Sequence, residues 1–123
     1  MVRLTIRIDF ESGDAIGPGK VRLLEQVAET GSIRGAATAL KMSYRRAWLL
    51  IKATETTFGA PLIVAATGGV RGGGASLTDL GRKVVRLYRA VEKKAGTATS
   101  RDAIALAHSR YSGQKRPRKA RKK

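Results

Sequence analysis

Arg45 and Arg46 stand side by side at the start of a segment whose apolar spacing predicts a helix from 44 to about 58. Both would lie in the first turn, where the positive end of the helix dipole disfavours a cation by a few tenths to about 1 kcal/mol each. A phosphate or a guanine edge would reverse that cost, and arginine can grip guanine through two parallel hydrogen bonds. The pair therefore favours nucleic-acid recognition, with an ordinary solvated surface as the alternative.

The same predicted helix carries further polar and apolar residues on its outward side. Ser43 is a candidate N-cap, and Tyr44 can contact a phosphate or a thymine methyl group. The inward stripe of the helix begins at Ala47, and Leu49 and Lys52 also lie outside this stripe. We expect these outward residues to form one surface that meets DNA.

Three more residues near this helix need an interpretation. Trp48 is the only tryptophan, and it suits a partly buried packing position at least as well as a DNA contact. Arg34 lies in a short preceding helix that Ser32 can cap, and it is a candidate phosphate contact or else part of a solvated face. We include Ser32 and Arg34, but not Trp48, among the predicted DNA-binding residues.

Five glycines fall among the seven residues from 68 to 74, interrupted by Val70 and Arg71. Short apolar runs at 62–64 and 75–77 flank them and predict a hairpin. No Lys-Ser or Lys-Thr follows the glycines, which excludes a P-loop for nucleotide phosphates. Because glycine lets a backbone approach phosphate closely, the hairpin is predicted to contact DNA, with a passive turn as the alternative. The predicted contacts here are Thr67, Arg71, Gly72 and Gly73.

The composition offers few residues that could carry out catalysis or bind a metal ion. The chain has no cysteine, which excludes disulfides, thiolate nucleophiles and cysteine-based zinc sites. Its one histidine, His108, lies in a weakly patterned terminal segment, and the nine acidic residues are scattered. We expect neither an enzyme nor a bound cofactor or metal.

The charge is strongly positive and unevenly distributed. The net charge is +16, and residues 114–123 hold seven basic residues and no acidic one. A run of this kind cannot fold alone, so we expect a disordered basic tail that lies along nucleic-acid phosphates, or else a solubilising tail. No segment is apolar enough to cross a membrane, and no secretory signal is visible. We expect an intracellular, soluble, cytoplasmic protein that associates with the nucleoid.

The predicted elements follow one another in a recognisable order. Residues 2–10 alternate between apolar and polar types, as a half-buried strand does. Three helices, the hairpin and a fourth helix that ends near Ala95 come next. This order predicts a mainly α fold with a small β-sheet, a winged helix-turn-helix with an N-terminal strand and a glycine-rich wing. The predicted division is a DNA-binding domain at 1–95, a linker with a possible short helix at 96–113, and the tail at 114–123.

Several runs of the sequence resemble the N-terminal DNA-binding domain of the molybdate-responsive transcriptional regulators of the ModE type. The resemblance lies in AETGSIRGAATAL (28–40), MSYRRAW (42–48), FGAPLI (58–63), ATGGVRGGGASLTDLG (66–81) and LYRAVE (87–92). The SYxxAW box followed by ATGGxxGGGAxLT is specific. LysR-type regulators share the broader layout but usually show a Gln-Pro-Ala-like box after Ser43, which is absent here.

The resemblance implies a dimeric winged-helix regulator of transcription that reads a palindrome-like operator with the helix at 43–58. Full-length members carry C-terminal molybdate-binding domains, whereas only 28 residues follow Ala95. We therefore do not expect this chain to bind molybdate itself, and a role in molybdenum homeostasis is an implication of the family. Two alternatives are a non-specific nucleic-acid-binding or DNA-compacting protein, and an interaction module that uses the strand at 2–10 as a pairing edge.

Overall fold

A computed structural model of the chain describes residues 2–66 and 74–110. Within them lie four helices and two antiparallel two-stranded sheets, in agreement with the predicted winged helix-turn-helix. In chain order the elements are β1 (Ile8–Asp9), β2 (Ala15–Ile16), α1 (Pro18–Thr30), α2 (Ile33–Ala39), α3 (Tyr44–Phe58), β3 (Ile63–Ala66), β4 (Gly74–Leu77) and α4 (Asp79–Ser109). β1 pairs with β2, and β3 pairs with β4.

Short polar side chains and glycines set the helix boundaries, and the predicted caps Ser32 and Ser43 are among them. Ser32, Ser43 and Thr78 cap α2, α3 and α4, and each side-chain oxygen accepts the backbone N–H three residues later at 2.8–3.0 Å. α1 and α3 end at Gly31 and Gly59, whose φ angles of 80° and 73° lie in the left-handed region that favours glycine. These caps fix the residues at which α2, α3 and α4 begin and at which α1 and α3 end.

Two apolar clusters join the elements. The first packs α4 against β2, α1 and the ends of the hairpin strands, and comprises Ile16, Val21, Leu24, Leu62, Leu77, Val84 and Tyr88. The second holds α1, α2 and α3 against β4 through Leu23, Val27, Ala36, Ala37, Ala47, Ile51 and Ala75. Four of its seven members are alanines, so the helices approach closely and the direction of α3 is fixed by packing.

The turn between α2 and α3 is tight. Lys41 has a φ of 57°, a left-handed conformation that is uncommon outside glycine, asparagine and aspartate. The Met42 N–H donates to the Ala37 carbonyl at 3.0 Å, which closes the turn. Because the connection is short and hydrogen-bonded, α3 leaves α2 at one defined angle.

α4 is tied to the rest of the protein by polar contacts of Tyr88 and Arg89. The Arg89 guanidinium donates twice to Glu25 of α1, at 2.9 and 2.7 Å, and once to Glu92 at 2.7 Å. These hydrogen bonds raise the pKa of Arg89. The Tyr88 hydroxyl donates to the Ile6 carbonyl, and burial, reinforced by the Glu92 charge, raises the pKa of this phenol. The N-terminal segment therefore lies against α4.

The predicted strand at 2–10 is wrong in extent. Only Ile8–Asp9 is paired, because its partner Ala15–Ile16 is two residues long and a tight turn closes the hairpin just beyond Asp9. Val2 and Leu4 remain 43% exposed, since no strand lies beside them. Apolar and polar residues alternate over 2–10, whereas a pairing strand lies opposite Ile8 and Asp9 only.

The predicted linker after Ala95 is also wrong. α4 runs unbroken to Ser109, through Gly96 and the Thr/Ser-rich residues that follow. One glycine costs a helix only about 1 kcal/mol relative to alanine, and the Thr99 hydroxyl donates to the Ala95 carbonyl within the helix. No helix boundary therefore separates 1–95 from 96–109, and the predicted tail at 114–123 lies outside the described residues.

The apolar spacing of Leu80, Val84, Leu87, Tyr88 and Val91 predicts one buried face of α4, and the structure differs from this prediction in part. Val84 and Tyr88 are buried as expected, but Leu87 and Val91 are 50% and 42% exposed. They lie four residues apart on one face of the helix, which no other element in the described part of the chain covers fully.

None of the helices in residues 2–66 and 74–110 combines the length and the apolar character that a membrane span requires.

Candidate nucleic-acid interface

α3 presents its predicted outward residues to solvent. Ser43, Tyr44, Arg45, Arg46, Leu49 and Lys52 are all exposed, while Ala47, Ile51 and Thr54 face the core. The orientation that the sequence predicts for this helix is therefore confirmed. DNA contact by these residues stays a prediction.

The first turn of α3 forms a basic surface that we call the arginine face, comprising Ser43, Arg45, Arg46 and Leu49. These residues border a shallow hollow of about 290 Å³ together with Leu50. The first turn holds no acidic residue, and neither arginine forms an ion pair with any residue in the described part of the chain. Two cations thus lie at the positive end of a helix dipole without a neutralising group among those residues.

A second surface lies between α3 and the hairpin, and we call it the wing-facing groove. Its volume is about 470 Å³. α3 contributes Tyr44, Trp48, Lys52 and Glu55, which recur at helical spacing along one face. The other lining residues are Ile33 and Arg34 of α2, Ile51 of α3, and Ile63, Ala65, Gly74 and Ala75 of the hairpin.

Cations lie over the two aromatic rings of this groove. The Arg34 guanidinium carbon is 4.7 Å from the centre of the Tyr44 ring, and the Lys52 ammonium nitrogen is 5.3 Å from that of Trp48. Such cation–π contacts hold a charged group in place without neutralising it. Arg34 and Lys52 are therefore positioned at the rim of the groove, where Lys52 also forms an ion pair with Glu55 at 3.3 Å. Ser32, by contrast, uses its hydroxyl to cap α2.

The hairpin is fixed to the helices at both of its strands. The Ala75 N–H on β4 donates to the Gly31 carbonyl at 2.7 Å, and the Thr78 N–H donates to the Leu62 carbonyl at 2.9 Å. β3 and β4 pair from Ile63–Leu77 to Ala66–Gly74. The predicted contacts Thr67, Arg71, Gly72 and Gly73 lie outside the described residues. Ala65 and Gly74, near the ends of the described strands, line the wing-facing groove.

Trp48 lines the groove although it is not among the predicted DNA-binding residues. It is 41% exposed and lies at the centre of the groove face of α3, between Tyr44 and Lys52. Its position one residue after the buried Ala47 suggested a packing role. The signal that could have found it is the spacing of Tyr44, Trp48 and Lys52, each four residues from the next.

Other kinds of site find little support in the described part of the chain. No group of three or more His, Cys, Asp or Glu side chains there could hold a metal ion. An apolar hollow of about 200 Å³ lies between the N-terminal hairpin and α4, lined by Ile8, Phe10, Ile16, Phe58, Val84, Leu87, Tyr88 and Val91. It includes the exposed face of α4 described above.

The fold and these two surfaces define a winged helix-turn-helix protein. Residues 19–82 match the family described as "Bacterial regulatory helix-turn-helix protein, lysR family". The chain belongs to that family. The match holds although the box that LysR-type regulators usually show after Ser43 is absent.

Relatives with established names agree with the resemblance to ModE-type regulators. The chain is 39% identical over 94 residues to the molybdenum transport protein ModE of Azotobacter vinelandii, across 76% of this chain and 35% of that protein. It is 34% identical over 90 residues to the transcriptional regulator ModE of Haemophilus influenzae, across 73% of this chain and 35% of that one. The chain thus spans about a third of the length of these relatives, and the ModE-type N-terminal resemblance is confirmed.

A solved structure supports the fold. The DNA-binding domain of CbnR, in a crystal structure of its complex with DNA, superposes with a TM-score of 0.57 at 24% identity, covering 72% of this chain and 95% of that one. At this level of identity the likeness establishes the winged-helix architecture alone.

Proposed function

We propose that this chain binds duplex DNA as the DNA-binding part of a transcriptional regulator, with α3 in the major groove and the hairpin beside it. The observation that carries the proposal is the arginine face, where Arg45 and Arg46 are exposed at the positive end of α3 without an acidic residue in the first turn. The names of the relatives, and the DNA in the CbnR complex, agree with this role. The proposed role is regulatory and not enzymatic, and it places the protein in the cytoplasm with the nucleoid.

The chemistry of the arginine face suits a DNA base edge or phosphate. A helix-turn-helix places the N-terminal residues of its second helix against base edges, and those residues are Ser43 to Arg46 in this chain. An arginine that contacts guanine O6 and N7 makes two hydrogen bonds in one plane. The same contact would remove the electrostatic cost of two cations at the start of α3. Ser43, Tyr44 and Leu49 would then complete the contact surface.

The remaining predicted residues are proposed to contact the backbone. Arg34 and Lys52 are exposed at the rim of the wing-facing groove, within reach of a strand that leaves the major groove. Thr67, Arg71, Gly72 and Gly73 belong to the segment between β3 and β4, where glycines would allow a close approach to phosphate. The seven basic residues of 114–123 would add contacts that depend on charge alone.

We further propose that the chain acts as a homodimer that pairs through α4. Leu87 and Val91 lie half exposed on one face, and Ala98 continues that face two turns further along a helix of 31 residues. An exposed apolar stripe along a long helix is the pattern that packs against a second helix of the same kind. Two copies related by a two-fold axis would present two arginine faces to a palindromic operator.

Selection of bound duplexes from a random-sequence pool tests this function, with molybdate present in one arm and absent in the other. We expect a two-fold symmetric consensus that is the same in both arms, because we do not expect this chain to bind molybdate. Since the relatives are named for molybdenum transport, we propose that the sites control genes of molybdenum handling. Recovery of duplexes with no consensus would instead favour non-specific compaction, which the net charge of +16 also suits.

A further inference from the structure

Tyr44 and Trp48 are large aromatic side chains that the fold leaves 42% and 41% exposed. Each ring has a cation over it, Arg34 on Tyr44 and Lys52 on Trp48. Neither side chain is needed to fill the core, because Ala47, Ile51 and Thr54 form the buried stripe of α3. The exposed ring surface therefore lies open to the wing-facing groove.

The groove combines this apolar surface with positive charge. Its lining contains two cations, Arg34 and Lys52, and one carboxylate, Glu55. The Glu55 side chain is mostly covered and accepts the backbone N–H groups of Leu62 and Ile63. One Glu55 oxygen is therefore turned toward the start of β3, and the other lies 3.3 Å from the Lys52 ammonium group at the rim. Arg34, also at the rim, forms no ion pair with any described residue. A ligand that is apolar in the middle and anionic at both ends fits this arrangement.

The sugar–phosphate strand of a duplex has that chemistry. One such strand separates the major groove from the neighbouring minor groove, so a protein with α3 in the major groove and a wing beside it must straddle the strand. The surface between α3 and the hairpin is the wing-facing groove. Its lining contains Ala65 and Gly74, whose small size lets a backbone come close.

We propose that Trp48 is a DNA-contacting residue that packs on a deoxyribose of this strand, while Arg34 and Lys52 bind the phosphates on either side. The proposal rests on the proposed function and adds a named contact to it. Removing the ring loses apolar contact but no charge, so Trp48→Ala is expected to weaken duplex binding roughly five- to fiftyfold at unchanged salt dependence. Lys52→Ala is expected to lower the salt slope by about 1.

Because Trp48 is the only tryptophan, its fluorescence reports on this contact directly. The full chain is titrated with a short random-sequence duplex and, separately, with inorganic polyphosphate, and acrylamide quenching is measured at saturation. We expect the duplex to shield Trp48 from acrylamide and polyphosphate to leave it accessible. Trp48→Phe, which keeps an aromatic ring, is expected to retain binding within about threefold of the wild type.

The outcomes separate this inference from the proposed function. If the wild type binds the duplex but Trp48 stays equally accessible, or Trp48→Ala binds as tightly as the wild type, the inference is overturned and the proposed function stands. Shielding by polyphosphate as well as by DNA would also overturn it, because charge alone would then explain the effect. If the wild type does not bind the duplex, both fail. A Trp48→Ala loss with a changed salt slope would assign the residue to positioning Lys52 and contradict the direct contact.

Discussion

The Glu55 carboxylate on α3 accepts the backbone N–H of Leu62 at 2.8 Å, and the same oxygen accepts the N–H of Ile63 at 3.2 Å. The other carboxylate oxygen lies 3.3 Å from the Lys52 ammonium group. Leu62 is fully buried, so its N–H has no alternative partner in water. The proposed recognition helix therefore fixes the point at which the hairpin begins.

Replacing this carboxylate is expected to destabilise the protein. Glu55→Ala leaves a buried N–H group without a partner, and we expect it to lower the free energy of unfolding by about 1–3 kcal/mol. The matched control is Glu29→Ala, an exposed carboxylate of α1 whose hydrogen-bond partner is the Gln26 side chain. It is expected to change stability by less than about 0.5 kcal/mol. Urea denaturation followed by circular dichroism measures both, and equal effects would contradict the role assigned to Glu55.

Two glycines of α4 are expected to respond in opposite directions to the same substitution. A Cβ at Gly81 would lie 2.4 Å from the Leu62 carbonyl oxygen, a backbone atom, so Gly81→Ala is expected to cost about 1–3 kcal/mol. A Cβ at Gly96 would meet no atom within 4 Å, so Gly96→Ala is expected to stabilise the helix by about 0.5–1 kcal/mol. Thermal unfolding of the two variants checks both signs. A destabilised Gly96→Ala would argue against a continuous α4.

The proposed dimer depends on the exposed face of α4 that carries Leu87 and Val91. Leu87→Glu is expected to weaken self-association at least tenfold, because burial of a leucine contributes about 1.5–3 kcal/mol and a buried carboxylate is unfavourable. The control is Ile104→Glu, equally exposed at 50% but on a different face of the same helix. Sedimentation at several protein concentrations distinguishes them. Equal self-association of the two variants would exclude the Leu87 face as the interface.

Removal of residues 114–123 is expected to weaken DNA binding on every sequence and to flatten its salt dependence. Each phosphate that a tail cation neutralises contributes about 0.9 to the slope of log affinity against log salt. Affinities of the full and shortened chains for one duplex, measured over a range of salt concentrations, give the two slopes. An unchanged slope would show that the tail does not follow the DNA backbone.

Local chemistry made much of this fold predictable. Ser43 and Thr78 are capping residues with their helices directly after them, and Gly31 allows the left-handed turn that ends α1. The orientation of Arg45 and Arg46 followed from the buried stripe of α3. The sequence alone does not reveal how far pairing extends, because strand Ile8–Asp9 ends where its partner ends.

Features that depend on distant residues were the ones that sequence patterns missed. The apolar spacing of Leu87 and Val91 matches a buried face, but burial needs a neighbouring element, and none of the described elements covers these two residues fully. Trp48 lines a groove that exists only once the hairpin is placed against α3. Residues 96–100 have the composition of a linker, but α4 continues through them to Ser109. Single residues of low helix propensity do not end a helix that neighbouring residues support.

The most direct test of sequence-specific recognition by the arginine face is a competition assay between a duplex recovered by selection and random-sequence DNA. We expect the wild type to favour the selected duplex by at least about 10³. Arg45→Ala or Arg46→Ala is expected to cost about 1–3 kcal/mol on that duplex and to relax the preference at one base position. A wild type that binds both DNAs equally, or arginine variants that lose the same affinity on every sequence, would contradict base recognition by this surface.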